Sequence, residues 1–253
     1  MFSKAIVQKP CKNMIYGLTS ASLGVPDYSL ALHQHQDYVD ALKVCGLDVT
    51  ILKADENYPD SVFVEDTALL TSHCAIITNP GAPSRNGEIL KMFKILSGFY
   101  RNIESIEESG TLDAGDVMMV GKHFYIGLSE RTNENGANQL ITFLKKYRMT
   151  ASTITLEKSL HLKTGASYLE NNNLLATREF LRKSEFQRFN IIEIDDDESY
   201  AANCVWINDK VLVPKGFPET KSKIEALGYT TIVINVSEFQ KLDGGLSCLS
   251  LRF

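Results

Sequence analysis

Thr111-Leu-Asp-Ala-Gly-Asp-Val-Met-Met-Val120, with Phe124-Tyr-Ile-Gly-Leu128 and Ser129-Glu-Arg-Thr-Asn-Glu-Asn-Gly136 behind it, is the stretch from which the fold can be read. Two acids flank Gly115, and a strand-forming run follows. A short turn leads to a second strand, and a turn bearing Arg131 opens a helix that runs to about Tyr147. The same order stands upstream. Phe63-Val-Glu-Asp-Thr-Ala-Leu-Leu70 is an acidic lead into a strand, Cys74-Ala-Ile-Ile-Thr78 a second strand, and Asn79-Pro-Gly-Ala-Pro-Ser-Arg-Asn-Gly-Glu88 a turn with Arg85 before a helix. Looser copies begin at Leu162 and at Ala202, the latter with a helix near Glu219 to Leu227. Another begins at Asp243 and is closed by the N-terminal strand Lys4–Gln8 and the helix from about Tyr28 to Cys45; Asp48–Leu52 reads as the next strand. About five units of roughly 40–50 residues imply a ring of blades or an array. No Pro-, Gly- or Ser-rich linker divides the chain, so one domain over residues 1–253 is expected.

Composition narrows the function. The chain has 253 residues, is 44% hydrophobic and carries a net charge of -5 with both signs interspersed. That is enough apolar material for a sizeable core, without the basic stripe that nucleic acid demands. No run approaches the ~20 apolar residues of a membrane span, and the first residues lack a signal-peptide pattern. A cytoplasmic protein is expected, with neither a nucleic acid nor a membrane as partner. Cys11, Cys45, Cys74, Cys204 and Cys248 are odd in number and lack CxxC spacing, which argues against a disulfide framework and a zinc cluster.

If each unit begins near a common axis, its leading polar residues converge. Asp60, Glu65, Asp66, Asp113, Asp116, His161 and Cys248 form that set. Acids beside a strand are commonly solvated; the other reading is a pocket built for a cation. Cys248 follows Gly244 and Gly245, and Leu249, Leu251 and Phe253 alternate with polar residues, so the cysteine is expected on a half-buried strand. A free cysteine is most often simply core. His161, in Ser159-Leu-His-Leu-Lys-Thr-Gly165, alone among the histidines stands in a strand-leading position like those of the acids. His33 and His35 share no helical face, and His73 and His123 fall in hairpin turns. A cysteine and a histidine far apart in sequence suit nucleophilic catalysis, which needs them close only in space.

Leu112-Asp-Ala-Gly-Asp116, Ser159-Leu-His-Leu-Lys-Thr-Gly165 and Asp243-Gly-Gly-Leu-Ser-Cys248 together resemble the guanidine-modifying superfamily. Ser61-Val-Phe-Val-Glu-Asp66, Ser129-Glu-Arg-Thr-Asn133 and Ser247-Cys-Leu-Ser-Leu-Arg-Phe253 are similar to its dimethylarginine dimethylaminohydrolase branch, and the likeness runs the length of the chain. The resemblance implies a five-bladed α/β propeller of strand-strand-helix-strand units. It implies hydrolysis of Nω-methylated arginine to citrulline and a methylamine through a covalent cysteine thiouronium, with no metal or cofactor. Cys248 becomes the nucleophile, His161 the general acid and base, and Asp113 the catalytic carboxylate where some members carry Glu. Asp66 and Asp113 bind the guanidinium N–H groups, and Glu65 supports substrate binding. Arg85 and Arg131 meet the α-carboxylate, although turn arginines are ordinarily solvated. Asp60 and the carbonyls of Leu18 and Leu242 meet the α-ammonium, and Asp116 supports. The partner implied is a small guanidine amino acid; a homodimer is left open. Two other readings stand beside this one: an arginine deiminase or amidinotransferase of the same superfamily, and a non-catalytic propeller that binds guanidines or a protein.

Overall fold

Five three-stranded sheets are built from one local order, repeated. The structure, a computed structural model, describes residues 1–253. In each sheet a short leading strand pairs antiparallel with a middle strand, which pairs parallel with a third strand after a helical connection. The parallel step requires such a crossover, and this is why every repeat carries a helix. The α/β class and the repeat of strand, strand, helix and strand agree with the sequence reading.

The chain divides into two compact units, Met1–Val64 with Ile194–Phe253, and Glu65–Glu193. The continuous unit, Glu65–Glu193, holds three sheets. Ala68–Leu70, Ala75–Ile77 and Ile103–Ser105 form one; Val117–Val120, His123–Leu128 and Thr150–Thr155 the next; Ala166–Tyr168, Asn173–Ala176 and Asn190–Glu193 the third. Its first helix, Glu88–Leu96, and its second, Glu134–Lys146, have strongly one-sided apolar patterns. Leu140 and Leu144 of the second helix lie fully buried with Phe124 and Ile126. An aromatic cluster of Tyr125, Phe180, Phe186 and Phe189 fills the third repeat.

The discontinuous unit holds two sheets. Val205–Ile207, Lys210–Pro214 and Thr230–Ile234 form one. In the other, Lys4–Gln8 lies between Asp48–Leu52, parallel, and Leu251–Arg252, antiparallel. The helix Tyr28–Val44 starts at Asp27, whose carboxylate accepts the Leu30 N–H, and buries Tyr38, Val39 and Leu42.

Glu65 and Asp66 lead into a strand, as expected, and do so in a 3-10 turn, Val64–Thr67. One sequence expectation is corrected. Cys248 likewise lies in a 3-10 turn, Ser247–Leu249, and the strand behind it is only Leu251–Arg252. The alternation of Leu249 and Leu251 mimicked a strand because the turn also buries Leu249. Similar one-turn helices precede the other sheets: Ala114–Asp116, Leu162–Gly165 capped by His161, and Asp196–Ala202. No helix is long and apolar enough to cross a membrane.

Candidate active site

In the continuous unit the strand-leading turns carry Glu65 and Asp66, Asp113 and Asp116, and His161. All are buried, and their charges are paired or hydrogen-bonded. His161 Nε2 lies 3.1 Å from Asp113 Oδ2, while Asp113 Oδ1 accepts the Gly81 N–H at 2.9 Å. Asp66 Oδ1 accepts the Gly115 N–H at 3.0 Å. Gly115 is required by close approach: a Cβ there would stand 2.8 Å from Asp66 Oδ1 and 2.9 Å from His161 Nδ1. Asp116, wholly buried, accepts from the Ser129 and Thr132 hydroxyls at 2.7 Å each. Its other oxygen accepts the Leu162 N–H at 2.9 Å, which fixes the backbone next to His161.

These contacts set the charge on the imidazole. Burial alone lowers the His161 pKa, but the Asp66 charge, the hydrogen bond to Asp113 and the charges of Asp116 and Asp113 outweigh it and raise it to about 9. His161 is therefore cationic at neutral pH. Burial raises the Asp113 carboxyl, yet its bond to His161, the His161 and Arg85 charges and the Gly81 N–H bring it below the ordinary carboxylate value. Asp116 shifts upward, since burial exceeds the help from His161, Thr132, Ser129 and the Leu162 N–H.

Arg85 departs from the solvated turn arginine expected of its sequence context. It is 5% exposed. Its Nε and Nη2 grip the two oxygens of Glu88 at 3.0 and 2.8 Å, and Nη1 reaches Asp66 Oδ2 at 2.6 Å. Burial by itself lowers its pKa; Glu88, Asp66 and Asp113 raise it well above the ordinary arginine value. One of the two edges with which a guanidinium forks over a carboxylate is thus given to Glu88. Arg131 is half-buried in the Ser129–Thr132 turn, its N–H donating to Ser129 Oγ at 3.0 Å. Glu65 pairs with Lys163 at 2.7 Å, both within the same unit.

Sequence reading missed Glu88 and Lys163. Lys163 lies inside the quoted histidine motif, and Glu88 three residues beyond Arg85, so spacing alone could have flagged both. Asp66, Asp113 and His161 present ligand atoms within 4.8 Å of one another, close enough for a divalent metal. In this cluster Asp113 pairs with His161 and Asp66 with Arg85.

In the discontinuous unit, Asp60 is buried and its Oδ1 accepts the Leu18 N–H at 2.9 Å. Leu18 is exposed and Leu242 buried. The Ser20 N–H and hydroxyl both donate to Asp243 Oδ2, beside Leu242. Phe63 packs in the core, edge-on to Phe239 and against Gly244. Cys248 is the one cysteine of five that is not buried. Burial pushes the Cys11, Cys45, Cys74 and Cys204 thiols up, away from the thiolate, and this marks them as core. The Cys248 sulfur instead accepts the Gly245 N–H at 3.4 Å.

The continuous unit thus holds a histidine kept cationic among carboxylates, and the discontinuous unit a thiol that is not buried. The sequence matches the family description "N,N dimethylarginine dimethylhydrolase, eukaryotic" over residues 27–248. It is 55% identical over 254 residues, covering 100% of both chains, to the N(G),N(G)-dimethylarginine dimethylaminohydrolase of Pseudomonas aeruginosa. The solved structure of that enzyme's cysteine-to-serine mutant complexed with citrulline matches with a TM-score of 0.99 over 100% of both chains. A dimethylarginine dimethylaminohydrolase histidine-to-glycine variant, in an adduct with S-methyl-L-thiocitrulline, matches equally well, with a TM-score of 0.99 at 55% identity over 100% of both chains. The chain belongs to the dimethylarginine dimethylaminohydrolase family.

Proposed function

We infer that this chain hydrolyses Nω-methylated arginine to citrulline and a methylamine, and that residues 1–253 act as one catalytic domain. The observation that carries the activity is the end-to-end likeness, at 55% identity, to an enzyme of that name. The family match from residue 27 to 248 draws on both compact units, which supports a single catalytic whole. The substituted cysteine and histidine of the relatives, with citrulline and a thiocitrulline bound, support Cys248 and His161 as the corresponding pair.

Asp66 and Asp113 receive the guanidinium N–H groups, with Glu65 beside them. The Cys248 thiolate attacks the guanidinium carbon and a C–S bond forms. His161, cationic before the reaction, passes its proton to the amine nitrogen as the C–N bond breaks. The neutral imidazole then takes a proton from water. Hydroxide adds to the thiouronium carbon, the C–S bond breaks with its electron pair returning to sulfur, and the hydroxyl proton passes to solvent as citrulline leaves. Asp113 orients the imidazole, and Asp116 orients Asp113 and His161 through Thr132 and Leu162. Arg131 faces the α-carboxylate, and Arg85 joins it on exchanging a bond to Glu88 or Asp66 for the substrate; Asp60 and the carbonyls of Leu18 and Leu242 face the α-ammonium. Substrate enters as a small cationic amino acid. An enzyme of this composition, without an apolar membrane span, works in the cytoplasm.

The test is product analysis. Purified protein is incubated separately with asymmetric dimethylarginine, monomethylarginine, arginine and agmatine. Citrulline with release of the methylated amine, at a kcat/KM for the methylated arginines above those for arginine and agmatine, is expected. The reverse ranking overturns the substrate and points to the deiminase reading; a requirement for an amine acceptor points to an amidinotransferase.

A further inference from the structure

Each sheet is led by a short helical turn, and four of these turns supply residues to the proposed chemistry: Glu65 and Asp66, Asp113 and Asp116, His161, and Cys248. The remaining one, Asp196–Ala202, ends at Asn203, a residue with no part in that scheme. Asn203 is buried at 6% exposure. Its carboxamide Oδ1 accepts the Ser247 N–H at 2.9 Å, and its Nδ2 donates to Ser247 Oγ at 3.1 Å. Its side chain also lies flat against Gly245: a Cβ there would stand 2.6 Å from Asn203 Cγ and 2.9 Å from Nδ2. Both residues belong to the turn that presents the thiol, for the Cys248 N–H donates to the Gly245 carbonyl and the Gly245 N–H to the Cys248 sulfur. One residue before Gly245, the Tyr200 hydroxyl from the same leading turn donates to the Gly244 carbonyl at 2.8 Å. The residues from Gly244 to Ser247 are therefore clasped from the Asp196–Asn203 segment.

We propose that Asn203 is the positioning residue for the Cys248 nucleophile: its carboxamide holds Gly245 and Ser247 so that the Gly245 N–H points at sulfur and the thiol is presented in one rotameric setting. The role rests on the reading of Cys248 as nucleophile. A full acceptor and donor pair on Ser247, plus direct packing on Gly245, is more than turn closure needs. The backbone bond from Cys248 N–H to Gly245 already closes the turn. An N–H donor to sulfur favours the thiolate over the thiol. The bonds and packing of Asn203 described above act on the sulfur through Gly245 and Ser247.

The experiment measures steady-state kinetics with asymmetric dimethylarginine, and iodoacetamide alkylation of Cys248 as a function of pH, for wild type, Asn203→Ala and Ser247→Ala. In Asn203→Ala, kcat is expected to fall ~10–100-fold, the scale of a nucleophile displaced by about an ångström, with KM changed less than about threefold. The alkylation midpoint moves to higher pH because the N–H no longer aims at sulfur. Ser247→Ala keeps its backbone N–H for Asn203 and is expected to show a smaller fall of the same kind, which holds the test open if Asn203→Ala does not fold. An unmoved alkylation profile with wild-type kcat in the folded variants overturns the positioning role alone. Turnover by wild-type protein after stoichiometric alkylation at Cys248 overturns the nucleophile reading, and the role of Asn203 with it.

Discussion

The continuous and discontinuous units hold their functional side chains in different ways. Between Glu65 and Glu193 the leading turns are fixed by charge: Glu88 on Arg85, Arg85 on Asp66, Asp113 on His161, Lys163 on Glu65. Around Cys248 the bonds run to neutral groups. Asn203 takes Ser247, Tyr200 takes the Gly244 carbonyl, Tyr38 takes the Leu246 carbonyl and Ser250 hydroxyl, and Arg252 takes the Ser247 and Ser250 carbonyls. The contrast matches the proposed chemistry. On that proposal the cluster receives a cation and moves protons, so it has to be electrostatically poised, and buried charges need partners to exist at all. The proposed nucleophile needs an orientation, which bonds to hydroxyls, carbonyls and a carboxamide supply; the charged donor among them, Arg252, is a cation and does not hold a thiol's proton.

The largest effect expected from breaking the contrast lies on the neutral side. Cys248→Ser should lower citrulline formation by about 10⁴-fold or more, since removal of a nucleophile leaves only residual catalysis and a serine hydroxyl is not ionised at neutral pH. Activity within tenfold of wild type would remove Cys248 from the mechanism. On the charged side, His161→Ala should slow turnover by ~10²–10⁴-fold. The loss should be greatest for substrates whose departing amine most needs a proton, as a leaving-group series would show.

A third prediction concerns pH and follows from the charged unit. The folded His161 pKa of about 9 exceeds its ordinary 6.5. Its charge therefore stabilises the fold fully below pH 6.5, and that contribution disappears as pH rises through 9. The depressed Asp113 works in the opposite window: its contribution is present above the ordinary carboxylate value and is lost as pH falls through the folded one. Tm measured from pH 6.5 to 9 should fall in wild type and flatten in His161→Gln. An equal slope in both proteins would mean that the imidazole is not the group responsible. The basic limb of kcat/KM should also lie near 9 in the free enzyme. Smaller still is Leu18→Ala. Leu18 is 41% exposed and offers its N–H to Asp60 through backbone, so a change of at most a few-fold in KM is expected, with kcat unaltered.

The sequence made the repeat visible because acids before strands are rare enough to stand out, and His161 was found by its place in the same grammar. The burial of Arg85 was not legible. A turn arginine after Pro83 looks solvated, and only folding shows that Glu88, one turn along, and Asp66, far behind, meet it together. Asn203 was hidden for a related reason: an asparagine ending a turn is ordinary, and its partners Gly245 and Ser247 lie more than forty residues away. The strand expected at Cys248 failed on length. Its pairing with Lys4–Gln8 engages only Leu251 and Arg252, so the preceding residues were free to curl into the turn that displays the thiol.

The sheet that follows Cys248 has a further consequence, for the order of folding. Its pairs Ala5↔Arg252 and Ile6↔Leu251 join opposite ends of the described chain, whereas each sheet of Glu65–Glu193 closes within its own local segment. Loop-closure entropy grows only slowly with length, about 0.6 kcal/mol per doubling, so this long-range closure costs little at equilibrium. It weighs more on rate, because non-local pairings form late in the search. The histidine cluster thus belongs to the early-forming, local part of the molecule. Cys248, the proposed nucleophile, belongs to the part expected to close last, so completion of the thiol's setting coincides with completion of the fold.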